Sequence, residues 1–390
     1  MIIDAVDLFY LSMPEVRPIG DGSQDALLVR ARSSSLTGWG ECEASPLVSI
    51  ANFVCPMSHS ACQNVRDTVI GRSIESPQDI IDLGREVRAI GLDIAQTDHT
   101  WSGVEIALWD LLGKKLNEPV YRLLGYQQAF PKTPYASQLF GADPEETKRK
   151  AERCRRDGFR AIKFGWGQYG RSNADEDAKH VDSAREGFGD GLVCVDAGTV
   201  WGEDVAAARE RLAALEANDI FWFEEPFVGE ALHAYAELSK HCERVRLAGG
   251  EGATNFHAAR NLMDYGNIGF VQIDTGRVGG IAPAKAIADY ATDRGITYVN
   301  HTFTTHLALS ASLAPFAGIE SARLCEYQVE ASPLAREITK NQLEIVDGQV
   351  QPIDSPGLGI EICETALREY LVPVQIRVGG DVLYTTPEVV

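Results

Sequence analysis

From about Pro131 the chain alternates short apolar runs with charged, helix-sized segments, and this rhythm limits its possible folds more than any other feature. The runs are TPYASQLF, FRAIKFGW, LVCVDAG, IFWFEEP, VRLAGGE, GFVQIDTG, ITYVNHT and LCEYQ. Segments such as DPEETKRKAERCRRDG and EDVAAARERLAALEAND lie between them and read as helices. Strands that alternate with helices are parallel, joined by crossovers. Eight of them imply closure into a barrel, whose active face is the one where the strands end.

At 390 residues the chain exceeds the size at which one core stops growing, so a second lobe is expected. Residues 1–45 alternate in a β manner, and Ser76 to about Gly125 turns helical. In WSGVEIALWDLLGKKL, Val104, Ala107, Leu108, Leu111 and Leu112 fall on one face, which reads as a packed amphipathic helix. Three units follow: an N-terminal lobe over 1–128, a barrel over 129–350 and a tail over 351–390 that returns to the first lobe.

Nearly every barrel run ends in a polar or ionisable residue: Lys163, Asp196, Glu224, Glu251, Asp274, His301 and Glu326. Asp196, Glu224 and Glu251 sit on three consecutive strands. Like charges that close drive protonation unless a cation intervenes. A hard divalent ion such as Mg²⁺ prefers such oxygen ligands. In FWFEEP, Glu224 is the expected ligand and Glu225 points to the opposite face.

Asp274 and His301 end adjacent strands, and a carboxylate on one imidazole nitrogen fixes the tautomer and raises the basicity of the other. His301 is therefore the expected general base. Lys163, across the barrel, is placed to hold a substrate carboxylate or to offset charge on an enolate. Glu326 either hydrogen-bonds an enolic oxygen when protonated or pairs with a cation when ionised; the sequence leaves both open. His306 and the remaining histidines read as structural. Together the set describes proton abstraction beside a carboxylate, stabilised by Mg²⁺ and lysine.

A formal charge of −20 argues against a nucleic-acid partner, which needs clustered Lys and Arg. It also means that an anionic substrate must be attracted locally. The eight cysteines are scattered without a CxxC pair and read as free thiols in a reducing cytoplasm. MIIDAVDLFYLS does not read as a signal peptide, and no run approaches the roughly 18 apolar residues of a membrane span. A soluble, cytoplasmic chain is expected.

Through ALWDLLGKKL, PVYRLLG, AIKFG, VDAG, FEEP, GGE, QIDTGRVGGI, NHTF, CEY and SPGLGI, the chain resembles the mandelate racemase/muconate lactonizing enzyme family of the enolase superfamily over almost its full length. The Asp274–His301 pair with Glu326 resembles the mandelate racemase subgroup. The resemblance implies an α/β fold: a modified (β/α)7β TIM-like barrel under an α+β capping domain, the assignment for residues 1–128. It also implies a small anionic sugar acid as substrate and a homo-oligomer. Loops near 14–24 and 44–60 would close over the site, with Arg17 meeting a substrate hydroxyl or second carboxylate.

One departure shapes the expected chemistry. Family members usually carry Lys-x-Lys on the second strand, but here the motif is Lys163-Phe164-Gly165. With a single base, dehydration of an acid sugar is the expected reaction. The alternatives are a cycloisomerase or an epimerase/racemase acting on a sugar acid or lactone and, more remotely, a non-catalytic metal-binding protein.

Overall fold

The computed structural model describes residues 1–389. The first lobe carries an antiparallel sheet of β1 (Ala5–Ser12), β2 (Asp25–Ser33) and β3 (Leu36–Cys42). Helix Thr97–Leu116 packs across it at very short range. Gly38 and Gly40 on β3 permit this, because a Cβ at either would lie 2.2 Å from a helix carbonyl, that of Ala107 or Gly103. The helix ends at Asn117, which takes the left-handed conformation common at helix C-termini.

The helix departs from the one-sided pattern expected of it, being buried continuously from Thr100 to Gly113, polar residues included. The sheet covers one side, and other first-lobe helices, the barrel and the tail cover the rest, so its acids become cross-lobe acceptors. Glu105 accepts from the backbone N–H groups of Ile281 and Ala282 at 2.7 and 2.9 Å, and from the Trp109 indole at 2.7 Å. Asp110 accepts from the N–H groups of Trp39 and Leu358, both at 2.8 Å, and from Lys114 Nζ at 2.6 Å. Each of these buried carboxylates thereby gains the partners that burial demands.

The second lobe is an eight-stranded parallel barrel: β4 (Thr133–Leu139), β5 (Ala161–Gly165), β6 (Leu192–Asp196), β7 (Trp222–Glu224), β8 (Arg246–Gly249), β9 (Phe270–Asp274), β10 (Thr297–His301) and β11 (Leu324–Gln328). All eight apolar runs form these strands, in chain order around the barrel, with β11 returning to β4. The segment after β6 forms two short helices, Val205–Arg209 and Leu212–Ala217, rather than one. At the interruption Arg211 turns inward, its Nε 3.0 Å from Asp177 Oδ2 and its guanidinium over Trp201.

Inside the barrel, each strand gives one residue to a floor: Tyr135, Ala161, Cys194, Trp222, Ala248, Phe270, Val299 and Leu324. Side chains two positions apart on a strand share a face. The next inward layer therefore contains Ser137, Lys163, Asp196, Glu224, His301 and Glu326, all buried above an apolar base.

β10 and β11 do not join through a backbone ladder. Asn300 Oδ1 accepts from Glu326 N–H at 3.0 Å, and Glu326 Oε2 accepts from Thr302 N–H at 2.7 Å, so side chains stitch the seam. The tail then runs back to the first lobe, where Val372 N–H donates to the Tyr10 carbonyl and Tyr384 Oη to that of Leu8. All eight cysteines are free. No helix among the described residues is long and apolar enough to cross a membrane.

Candidate active site and metal centre

Strand register brings the expected residues together. His301 lies directly opposite Asp274 in the β9–β10 pairing, and their side chains meet at 2.6 Å between Nδ1 and Oδ2. The Asp274 carboxylate is itself fixed by Gly276 N–H, which donates to Oδ1 at 2.7 Å. With Asp274 as acceptor, the Nδ1 proton is held and Nε2 is left for the cavity. Nε2 lies 3.1 Å from Glu251 and 3.9 Å from Glu326. Burial disfavours the charged ring, but Glu251, Glu326 and Asp274 outweigh it and push His301 up to about 10.

Asp196, Glu224 and Glu251 each present a carboxylate oxygen, all within 4.8 Å of one another. Two further bonds orient the group: Gly198 N–H donates to Asp196 Oδ1 at 2.7 Å, and the Trp222 indole to Glu224 Oε2 at 2.8 Å. Burial, reinforced by neighbouring carboxylates, raises both Asp196 and Glu224 above the usual carboxylate range. Glu251 is also buried, but His301, Arg277 and Lys163 outweigh that and hold it low. An all-oxygen, mutually repelling set this compact fits a hard divalent cation such as Mg²⁺. Glu225 turns away through a left-handed backbone (φ 40°) and accepts from Gly250 N–H at 3.3 Å.

Lys163 Nζ lies 2.6 Å from Glu224, 3.1 Å from Glu326 and 3.7 Å from Asp196. Burial disfavours its charge, but these anions hold it well above the ordinary lysine range. Of the two roles open to Glu326, the arrangement matches pairing with a cation: it lies 3.1 Å from Lys163 Nζ and takes hydrogen bonds from Ser137 Oγ and Thr302 N–H.

These groups open onto a cavity of about 320 Å³ between the lobes. Its lining includes Trp166, which follows the Lys163-Phe164-Gly165 motif, and residues that sequence reasoning missed: Asp21 and Glu43 from the capping lobe, and Arg277 from a barrel loop. Arg277 ties the lobes together, with Nη2 3.3 Å from Glu43 Oε1 and Nη1 3.6 Å from Glu251 Oε1. It sits in the GRVGG stretch beyond β9, where strand periodicity no longer indicates direction. Arg17 is not brought to the site: it is exposed and outside the lining, and its backbone N–H donates to Gln24 Oε1. The loop instead turns its acid, Asp21, to the cavity. His306 takes a structural role, accepting from Leu343 N–H.

At Gly165, where a second lysine is usual, a side chain would require Asp196 to shift. A Cβ there would lie 2.7 Å from Asp196 Oδ2 and 3.0 Å from Asp196 Cβ. Next to it, Trp166 adopts a left-handed backbone (φ 54°), strained for a bulky residue. Its ring fits between Gly20 of the capping loop and Gly198 of the barrel.

The description "Enolase C-terminal domain-like" matches residues 146–366, and "Mandelate racemase / muconate lactonizing enzyme, N-terminal domain" matches 19–125. The chain is 31% identical over 320 residues to a D-galactarolactone cycloisomerase of Agrobacterium fabrum, covering 73% of this chain and 82% of that one. It is 30% identical over 358 residues to a D-galactonate dehydratase of Xanthomonas oryzae, covering 85% and 87%. A solved structure from Rhodobacter sphaeroides, described as a predicted mandelate racemase, superposes with a TM-score of 0.95 at 54% identity, covering 99% of this chain and all of that one. With both domain descriptions matched in order and the fold reproduced, the chain belongs to the mandelate racemase/muconate lactonizing enzyme family of the enolase superfamily.

Proposed function

We propose that the chain is a Mg²⁺-dependent acid-sugar dehydratase that removes the α-proton and the 3-hydroxyl of its substrate to give a 2-keto-3-deoxy acid. One observation carries this reading: the cavity has an Asp274-oriented histidine, while the position of a second base is closed at Gly165 by Asp196. That supports one-base chemistry.

Asp196, Glu224 and Glu251 would hold a divalent ion, and such an ion would supply Lewis-acid charge that acidifies a C–H bond beside a carboxylate. With Nδ1 held by Asp274, Nε2 of the neutral ring is the nitrogen that accepts a proton from the cavity. His301 Nε2 takes the α-proton while the Lys163 ammonium offsets the charge that develops on the carboxylate. The imidazolium then delivers its proton to the departing 3-hydroxyl, which leaves as water. The resulting enol tautomerises to the keto acid, so the net change is loss of one water. Asp274 keeps the ring in one orientation through both transfers, and Glu326 keeps Lys163 in place.

A second reading, cycloisomerisation of a sugar lactone, is supported by the 31% identity to the galactarolactone cycloisomerase. Its α-proton also needs only one base. A panel of aldonates, aldarates, uronates and sugar lactones, each with and without Mg²⁺, separates the two. Dehydration yields a new 2-keto acid, whereas cycloisomerisation rearranges the lactone without releasing water. His301→Asn is expected to abolish turnover while Mg²⁺ still binds by calorimetry. Activity that survives this change refutes the mechanism.

A further inference from the structure

We infer that the cavity selects a monocarboxylate acid sugar over a dicarboxylate, with Asp21 as the specificity-determining residue. The inference rests on the acid-sugar reading above and names the substrate class within it.

A second carboxylate at the distal end of the substrate would need a cation or free donors there. The capping lobe contributes Ile19, Gly20, Asp21, Gly22 and Glu43 to the lining, and none of these side chains is a cation or a donor. The three basic groups of the lining are each engaged by an acid outside the metal-binding set. Lys163 is paired with Glu326, His301 with Asp274, and Arg277 with Glu43. Arg277 Nη1 also donates to the Glu251 carbonyl at 3.4 Å, so its guanidinium is used in joining the lobes. Lys163 and the metal-binding carboxylates serve the reacting end, which accounts for one substrate carboxylate.

Asp21 is held in place where the capping loop lines the cavity. Its Oδ1 accepts from Ser23 N–H at 2.9 Å, from Ser23 Oγ at 2.6 Å and from Gln328 Nε2 at 3.3 Å. Its Oδ2 accepts none of these bonds. The loop beneath is clamped to the barrel by Ser332, whose N–H donates to Ser23 Oγ and whose hydroxyl donates to the Ser23 carbonyl. A fixed carboxylate with a spare acceptor oxygen takes a hydrogen bond from a sugar hydroxyl and repels a second carboxylate. The overall charge of −20 acts in the same direction, opposing a dianion more than a monoanion.

The test uses the Mg²⁺-loaded protein and matched pairs that differ only at the far terminus: galactonate with galactarate, and gluconate with glucarate. Binding by calorimetry and 2-keto acid formation are both read. The better-bound aldonate is expected to bind at least about tenfold more tightly than its aldarate. Asp21→Asn keeps the Oδ1 acceptor that caps the loop and removes the charge, so it should narrow that gap severalfold. An aldarate bound as tightly as its aldonate, or a gap unmoved in the well-folded variant, overturns the inference. Selective binding of aldonates without turnover supports it while the dehydratase reading falls. No binding in either series overturns both.

Discussion

Gly165→Ala tests the link between the missing lysine and the metal centre. The added Cβ would stand 2.7 Å from Asp196 Oδ2, against an ordinary contact that begins near 3.4 Å. Asp196 must then retreat by about 0.7 Å, the difference between those two distances. It has little freedom to do so, because its Oδ1 is held by Gly198 N–H at 2.7 Å. Metal–ligand distances lie within about 0.2 Å of their usual values, and Mg²⁺ is strict about octahedral geometry. Disturbing the support of a ligand typically lowers affinity by about 10–100-fold, roughly 1.4–2.8 kcal/mol. Gly165 lies in regular strand β5, so its backbone accepts alanine and the fold is expected to survive. Calorimetric titration of Mg²⁺ into the metal-free variant reads the affinity, with a circular dichroism melt as control for folding. Affinity within twofold of the parent protein would refute the claim that Asp196 occupies the space of the missing side chain. By the same geometry, Gly165→Lys is expected to disturb the candidate metal site rather than install a second base.

Two stability predictions follow from buried groups away from the cavity. Burial pushes Glu105 up to about 7, against the lowering effect of its backbone and indole donors. Because this lies above the ordinary 4.5, its contribution is complete below pH 4.5 and is lost as pH rises through about 7, an effect of about 3 kcal/mol at most. Glu105→Gln should therefore gain melting temperature relative to the parent protein between pH 5 and pH 8; a pH-independent difference would contradict this. Lys132 is fully buried and donates to the carbonyls of Phe316, Ile319 and Ala322 at 3.0, 3.0 and 2.8 Å. Lys132→Met strands three buried acceptors and should cost about 3–5 kcal/mol in urea denaturation, while Mg²⁺ binding to the folded protein is unchanged.

The barrel was legible in the sequence because parallel strands buried on both faces show as dense apolar runs, and here each ends near a charged or polar residue. Since a strand side chain's direction follows from its position, Lys163, Asp196, Glu224, His301 and Glu326 could be placed before any coordinates. Loops carry no such periodicity. Arg17 and Asp21 lie four positions apart in one loop, yet the cation faces solvent and the acid lines the cavity. Spacing leaves Glu105 and Asp110 off the apolar face of their helix, yet both are buried. Their partners at Ala282 and Leu358 are 177 and 248 residues away, beyond any local pattern. Arg277 could be read as part of a motif, but its pairing with Glu43 depends on how the two lobes meet.

The stitched seam between β10 and β11 bears on how this scaffold can be altered. Glu326 is both a rivet in the barrel wall and a participant in the reaction chamber. Retuning its acidity or reach for a new substrate would loosen the wall, and mending the wall would reset the chamber. A protein engineer gains more latitude from the capping loop, where Asp21 touches the cavity but closes no strand. Variation in such a lineage would accordingly collect in the lid, while the rivet stays fixed across changes of substrate.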